Sequence, residues 1–167
     1  AKVVSHGTTR DEACRKLITP DRRRACDERG RRTAEMTAAQ YEQSLTQAAS
    51  GWDASPISTG RLSAELWNAI RGEDWSLVSD ATFVSNWPIR LWDFTKHYQF
   101  IGWSGAYGIG YGAPAAVGAA LANRKHGRLS VNIQCGGDLD YAPGALWAAA
   151  HHRIPLLTVL HNKRAYH

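Results

Sequence analysis

The residues best suited to chemistry lie in the last third of the chain. A β-branched run ends in Cys135-Gly136-Gly137-Asp138, with Asp140 close behind, and a second apolar run, led by Pro155, ends in His161-Asn162. Glycines between a strand and a helix aim backbone N–H groups at an anion, and the helix dipole adds to the attraction. A carboxylate at that place either caps the helix or holds a hard cation such as Mg²⁺. Asp138 is open to both readings, and Asp140 reads equally as a solvated first-turn carboxylate. Asn162 offers an amide oxygen of the kind Mg²⁺ takes, or one that satisfies loop backbone groups. A further cluster, Gly102, Gly105, Gly108, Gly110 and Gly112, permits positive φ and close approach of the backbone. By itself it suits a ligand loop and a tight helix-packing turn equally.

Other chemistries find no support. His151 and His152 end a predicted helix, where a cationic ring is favoured, and read as structural. No zinc-ligand spacing and no serine or cysteine nucleophile motif occurs. Three cysteines, Cys14, Cys26 and Cys135, form no Cys-x-x-Cys, so a disulfide framework is disfavoured and a reducing, cytoplasmic location is expected. Cys135 reads as a buried strand-end residue. No apolar run reaches the roughly 18 residues of a membrane span, which argues against a membrane partner. Net charge is +5, with much of the excess in Arg22-Arg23-Arg24 and Arg29-Gly30-Arg31-Arg32. These runs are interleaved with Asp21, Asp27 and Glu28, which fits a solvated linker and not a nucleic-acid surface.

The elements that must position these residues follow from pattern. Residues 1–31 are polar and aperiodic, a loop with helical fragments. Residues 32–49 lack Pro and Gly and predict a helix, with Met36, Ala39 and Leu45 near one face and Ser50-Gly51 at its end. Ser58 or Thr59 caps a second helix over 59–71, whose Leu62, Leu66, Trp67 and Ile70 share a face. A short strand over 75–79 ends at Asp80, and an irregular aromatic segment runs from Phe83 to Phe100. A helix over 114–123 begins with Pro in its first turn. Strands over 130–134 and 154–160 flank a helix over 143–151. The continuously apolar second strand predicts cover on both faces. The seven tryptophans read as core and interface packing. Alternating strands and helices give an α/β fold, a parallel sheet flanked by helices with ligands beyond the carboxyl ends of the strands.

Three segments together resemble the diphosphate-binding domain of thiamine-diphosphate-dependent enzymes, closest to the acetolactate-synthase-like branch with its decarboxylases and carboligases. They are Gly108-Ile-Gly-Tyr-Gly-Ala-Pro-Ala-Ala-Val-Gly-Ala119, the Gly-Gly-Asp turn with Tyr141-Ala-Pro-Gly-Ala-Leu-Trp147, and Ile154-Pro-Leu-Leu-Thr-Val-Leu-His-Asn162. The resemblance implies residues 1–55 as a basic linker with one helix and 56–167 as a partial domain, truncated at its C-terminus. The absence of an initiator Met suits a piece of a longer chain.

The family motif is Gly-Asp-Gly followed, one helix and strand later, by Asn-Asn. The Asp, the second Asn and a nearby carbonyl hold Mg²⁺, which grips the diphosphate. The resemblance implies cofactor contacts at Gly108, Ile109, Gly136, Gly137, Asp138 and Asn162, with Ile109 bending the cofactor. For the metal it implies Asp138, Asn162 and the carbonyl of Ala165. Aligned without gaps, the metal Asp falls on Gly136 and the second Asn on Lys163, which puts Mg²⁺ in question. A gapped register restores Asp138 but turns the intervening helix by about 200°; the ungapped register is preferred. Lys163 then meets the diphosphate as a point charge.

Two functions follow from the resemblance. The first is part of an enzyme acting on a small 2-oxo acid, a lyase or transferase using thiamine diphosphate. Its activating glutamate belongs to a pyrimidine-binding domain of the same or a partner subunit, in a homodimer or tetramer, so this chain alone is expected to be inactive. The second is a degenerate, structural or regulatory family member with a lost metal site.

Overall fold

The computed structural model describes residues 12, 15, 17–79, 86–102, 108–162 and 164. The chain divides into two compact units, Ala1–Gln43 and Ser44–His167.

Helix α1, Pro20–Ala49, runs through most of the first unit and ends in the second. It begins a dozen residues before the expected helix, within the segment predicted as a loop. Arginine is a good helix former, and Gly30 alone costs about 1 kcal/mol. Asp21 and Arg24 pair one turn apart, as do Glu28 and Arg31, each exposed pair adding a few tenths of a kcal/mol. Its buried residues are Ser44 and Ala48, one turn apart. Met36 and Leu45, expected on an apolar stripe, are exposed.

The second unit contains a four-stranded parallel sheet in the order β2-β1-β3-β4. Its elements are α2 Thr59–Ile70, β1 Trp75–Ser79, α3 Trp87–Leu91, β2 Phe100–Gly102, α4 Gly112–Asn123, β3 Leu129–Cys135, α5 Gly136–Leu139, α6 Gly144–His151 and β4 Leu157–His161. Ser58 caps α2, accepting from the Arg61 N–H at 3.1 Å. The central strands run in step, from Trp75 opposite Leu129 to Ser79 opposite Ile133. β4 continues the ladder, from Val131 opposite Leu157 to Cys135 opposite His161. β2 and α3 were not predicted. They are only three and five residues long, too short for periodicity to register.

Alternate residues of the strands build two unlike faces. On one, Trp75, Leu77, Val131 and Ile133 pack with Ile70 and Trp92. Here the packing role expected of the tryptophans holds for Trp67, Trp75 and Trp92, whose ring centroids lie 5.5–5.8 Å apart. The Trp92 indole N–H donates to the Ser63 carbonyl at 2.8 Å. Trp147, by contrast, is 66% exposed.

The other face carries Ser76, Ser130, Asn132 and Gln134, all buried. It lies under α4, which approaches through Ala113, Ala116 and Ala120. β4 departs from expectation. It begins at Leu157 and is one of the two edge strands of the described sheet, with Leu157 and Leu160 partly exposed. Its apolar run is thus covered less completely than its composition predicts.

Candidate functional site

Gly136, Gly137, Asp138 and Asn162 gather at the carboxyl edge of β3 and β4. Cys135 and His161 are paired across the ladder, so Gly136 and Asn162 are the next residues out on neighbouring strands. The predicted Gly-Gly-Asp turn is a single helical turn, α5. Its N-cap, Cys135, is extended, and the Cys135 side chain makes no capping hydrogen bond. Among the described residues, a methyl group added at Gly136 would meet nothing within 4 Å, so there is room on its Cβ side.

Asp138 is only 2% exposed. One carboxylate oxygen accepts the Gly110 N–H at 2.5 Å, and the other accepts from the Gln134 side-chain amide. Gln134 in turn accepts from the Asn132 side-chain N–H at 2.9 Å. Asp138 therefore ties the glycine segment to the end of β3, a role that neither the capping nor the metal reading anticipated. Asn132 and Gln134 were missed altogether. The signal was present: Ser130, Asn132 and Gln134 alternate with Val131 and Ile133, placing amides on one face of a buried strand.

The glycine segment is shaped by this contact. Gly110 has φ +85°, and a Cβ there would lie 2.8 Å from the Cβ of Tyr141. At Gly112 a Cβ would come within 3.0 Å of the Gln134 amide carbon and 3.1 Å of the Asp138 carboxylate. Both positions need glycine for steric reasons. Gly108 and Ile109 stand exposed beside them. The segment is thus a close-packed turn at Gly110 and Gly112 and an open surface at Gly108 and Ile109.

Asn162 is exposed, and its side-chain oxygen accepts the Arg164 N–H at 3.0 Å; Arg164 itself has φ +55°. Asp80, Lys163 and Ala165 lie outside the described residues. Among the described residues no group of three or more His, Cys, Asp or Glu side chains is arranged to hold a metal ion. His151 stacks on Trp147, with ring centroids 4.8 Å apart.

A concavity of about 490 Å³ lies far from these residues in the sheet, at the amino end of β1, lined by Trp67, Arg71, Trp75, Lys96 and Gln99. Nearby, Asp74 accepts from the Tyr98 hydroxyl at 2.8 Å and from Arg128 at 3.2 Å. The Tyr98 hydrogen bond lowers the Asp74 pKa, partial burial opposes it, and Arg128 and then Lys96 reinforce it. The Arg128 guanidinium also lies 3.4 Å from the centre of the Tyr98 ring. These groups satisfy one another. The carboxyl edge is the better candidate for anion binding.

Comparison with known proteins agrees. Residues 80–167 match the family model described as thiamine pyrophosphate enzyme, C-terminal TPP binding domain. Over 61 residues the chain is 39% identical to benzoylformate decarboxylase of Pseudomonas aeruginosa, a match covering 36% of this chain and 11% of that protein. The fold also matches the X-ray structure of a protein from Mycobacterium smegmatis provisionally described as a thiamin diphosphate-dependent enzyme. That match has a TM-score of 0.58 and 30% identity, over 68% of this chain and 22% of the other. The chain therefore spans a small part of the relatives it matches. The glycine backbone at the carboxyl edge of a parallel sheet and the match over residues 80–167 converge: the chain belongs to the thiamine pyrophosphate enzyme family, as a C-terminal TPP binding domain.

Proposed function

We propose that the chain supplies the diphosphate-binding part of a thiamine-diphosphate-dependent enzyme that acts on a 2-oxo acid. The reaction class is decarboxylation, carboligation or both, in the acetolactate-synthase-like branch and a cytoplasmic setting. The observation that carries this reading is the junction of the Gly108–Gly112 segment with the Gly136–Asp138 turn through the Gly110–Asp138 hydrogen bond. It sets a helical turn without a side-chain cap from Cys135, and with room on the Cβ side of Gly136, beside a second glycine-rich stretch. Gly136 and Gly137 contribute no side-chain bulk there, which favours approach of a diphosphate to their N–H groups.

The fit differs for the two components of the cofactor site. Gly136 and Gly137, both partly exposed, suit a phosphate group. Asp138, buried and accepting on both oxygens, does not suit Mg²⁺. Thiamine diphosphate, when bound, supplies the electron sink needed to release CO₂ from a 2-oxo acid. The chain's part is positional. Gly136 and Gly137 hold the phosphate end, Asn162 shapes the neighbouring loop, and exposed Ile109 offers an apolar support beside them. The pyrimidine-binding domain and its activating glutamate come from elsewhere in the same or a partner subunit, in a homodimer or tetramer, and this chain alone is inactive.

Titration calorimetry of the full chain with thiamine diphosphate tests the reading. Saturable binding that weakens in Gly136→Asp, which puts a carboxylate in front of the phosphate cradle, is the expected result under metal-free conditions. No binding with or without Mg²⁺ would sink it. In that case the second reading, a non-catalytic family member, stands; the occupied Asp138 carboxylate is the observation that favours it.

A further inference from the structure

We infer that Asp138, together with Gln134, is a positioning residue that clamps the Gly108–Gly112 segment onto β3, and that this carboxylate takes no divalent cation. The inference deepens the proposed function, on which its meaning for the cofactor rests, but it can be tested without the cofactor.

The argument begins with donor and acceptor capacity. An ionised carboxylate only accepts hydrogen bonds. One oxygen of Asp138 faces the Gly110 N–H, so Gln134 must turn its NH₂ toward the other. The Gln134 oxygen is thereby left facing Asn132, which must donate its own NH₂. One buried charge orients two side-chain amides in series along a single face of β3. Asn132 ends the series with its own oxygen buried and without a partner among the described residues. Leaving that acceptor unmet costs free energy. It is tolerable where the remaining bonds are strong, and bonds to an ionised group are.

Access is the second part. Asp138 is 2% exposed, and the backbone of Gly112 closes over the oxygen that faces Gln134, at a distance where even a methyl group would crowd it. A hard cation needs six or more oxygen ligands and keeps several waters. Drawing Asp138 into such a shell would strip Gly110 and Gln134 of their acceptor. It would also free the one loop whose exposed Ile109 lies beside the cradle. Gly136, with room on its Cβ side, contributes no side-chain ligand. The clamp and the metal ligand are therefore alternatives, and this chain has the clamp.

Three measurements on the full chain decide the matter. Electron paramagnetic resonance of added Mn²⁺ should show no site that disappears in Asp138→Ala. Hydrogen–deuterium exchange should show the Gly110 amide protected in the wild type and exchanging about tenfold or more faster in both Gln134→Ala and Asp138→Ala. Thiamine diphosphate affinity should be alike in EDTA and in Mg²⁺, within about twofold, and should fall in Gln134→Ala. A Mn²⁺ site lost on substitution of Asp138 overturns the inference, as does unchanged Gly110 exchange in the Gln134 variant. Gln134→Ala guards against failure of the Asp138 variant to fold. If thiamine diphosphate fails to bind in either buffer, the proposed function falls, and the Mn²⁺ and exchange results still decide the role of Asp138.

Discussion

At the amino edge of the sheet, charged and aromatic side chains satisfy one another: Asp74 with Tyr98, Arg128 and Lys96, and Arg128 with the Asn123 oxygen at 2.9 Å. At the carboxyl edge the partners are backbone amides and two buried side-chain amides arranged around one carboxylate. The first edge is a closed staple joining the chain just before β1 to that before β3. The second leaves room on the Cβ side of Gly136 and a turn that Cys135 does not cap with its side chain. The contrast teaches that the two ends of the same strands are built from different groups, interlocked side chains at one and glycine backbone around a single carboxylate at the other. Long side chains can fold over an edge and saturate it, whereas glycine leaves N–H groups accessible.

The largest expected effect tests whether stability belongs to the side of the sheet nearer the staple. Trp75 is 1% exposed and meets Trp67, Trp92 and Phe94 edge-on. Trp75→Ala should cost about 3–5 kcal/mol in denaturant unfolding. A loss below about 1 kcal/mol would break the comparison.

Next come the glycines of the other edge. Gly110→Ala combines positive φ with a 2.8 Å approach to Tyr141 and should cost about 1–3 kcal/mol. Gly136→Ala, with nothing within 4 Å, should leave the unfolding midpoint unchanged. The pair, measured side by side in denaturant, sharpens the distinction between the closed and open halves of that edge. Equal costs would erase it.

Arg128→Ala removes bonds to Asp74 and Asn123 and the ring contact with Tyr98, and should cost about 1–2 kcal/mol. Thiamine diphosphate binding should not change, since Arg128 lies at the opposite ends of the strands. A parallel loss of cofactor affinity would show that the two edges are coupled.

The smallest effect is a pH dependence. Asp74 has its pKa lowered from 3.8 by Tyr98 first and by Arg128 and Lys96 further on, against partial burial. The folded state therefore binds this proton less readily than the unfolded chain. The stabilisation is fully present above pH 3.8 and is lost as pH falls through the depressed folded value. Acid unfolding of the wild type and Asp74→Asn should differ above that window and converge below it. Identical profiles would remove Asp74 from the staple.

Much of this was legible in the residues. β1, β3, α2, α4 and α6 lie where composition and capping place them, because each is long enough or apolar enough to carry its own period. β2 and α3 were hidden in a segment whose aromatics serve tertiary packing, so no local repeat marks them. α1 was underestimated because its arginines look like a charged linker until their acidic neighbours fall one turn away. At the site, the glycines and Asp138 were visible as types. Their connection was not, since Gly110 and Asp138 are 28 residues apart and meet only across the α4–β3 layer.

By itself, the sequence determined the parallel α/β class and the thiamine-diphosphate family. Short-range patterns and motifs suffice for these because each depends on neighbouring residues. Only the tertiary structure decided what Asp138 does. A carboxylate's role depends on which donors surround it and how much water reaches it. Here those are set by a glycine loop, a helix and a strand that come together only on folding.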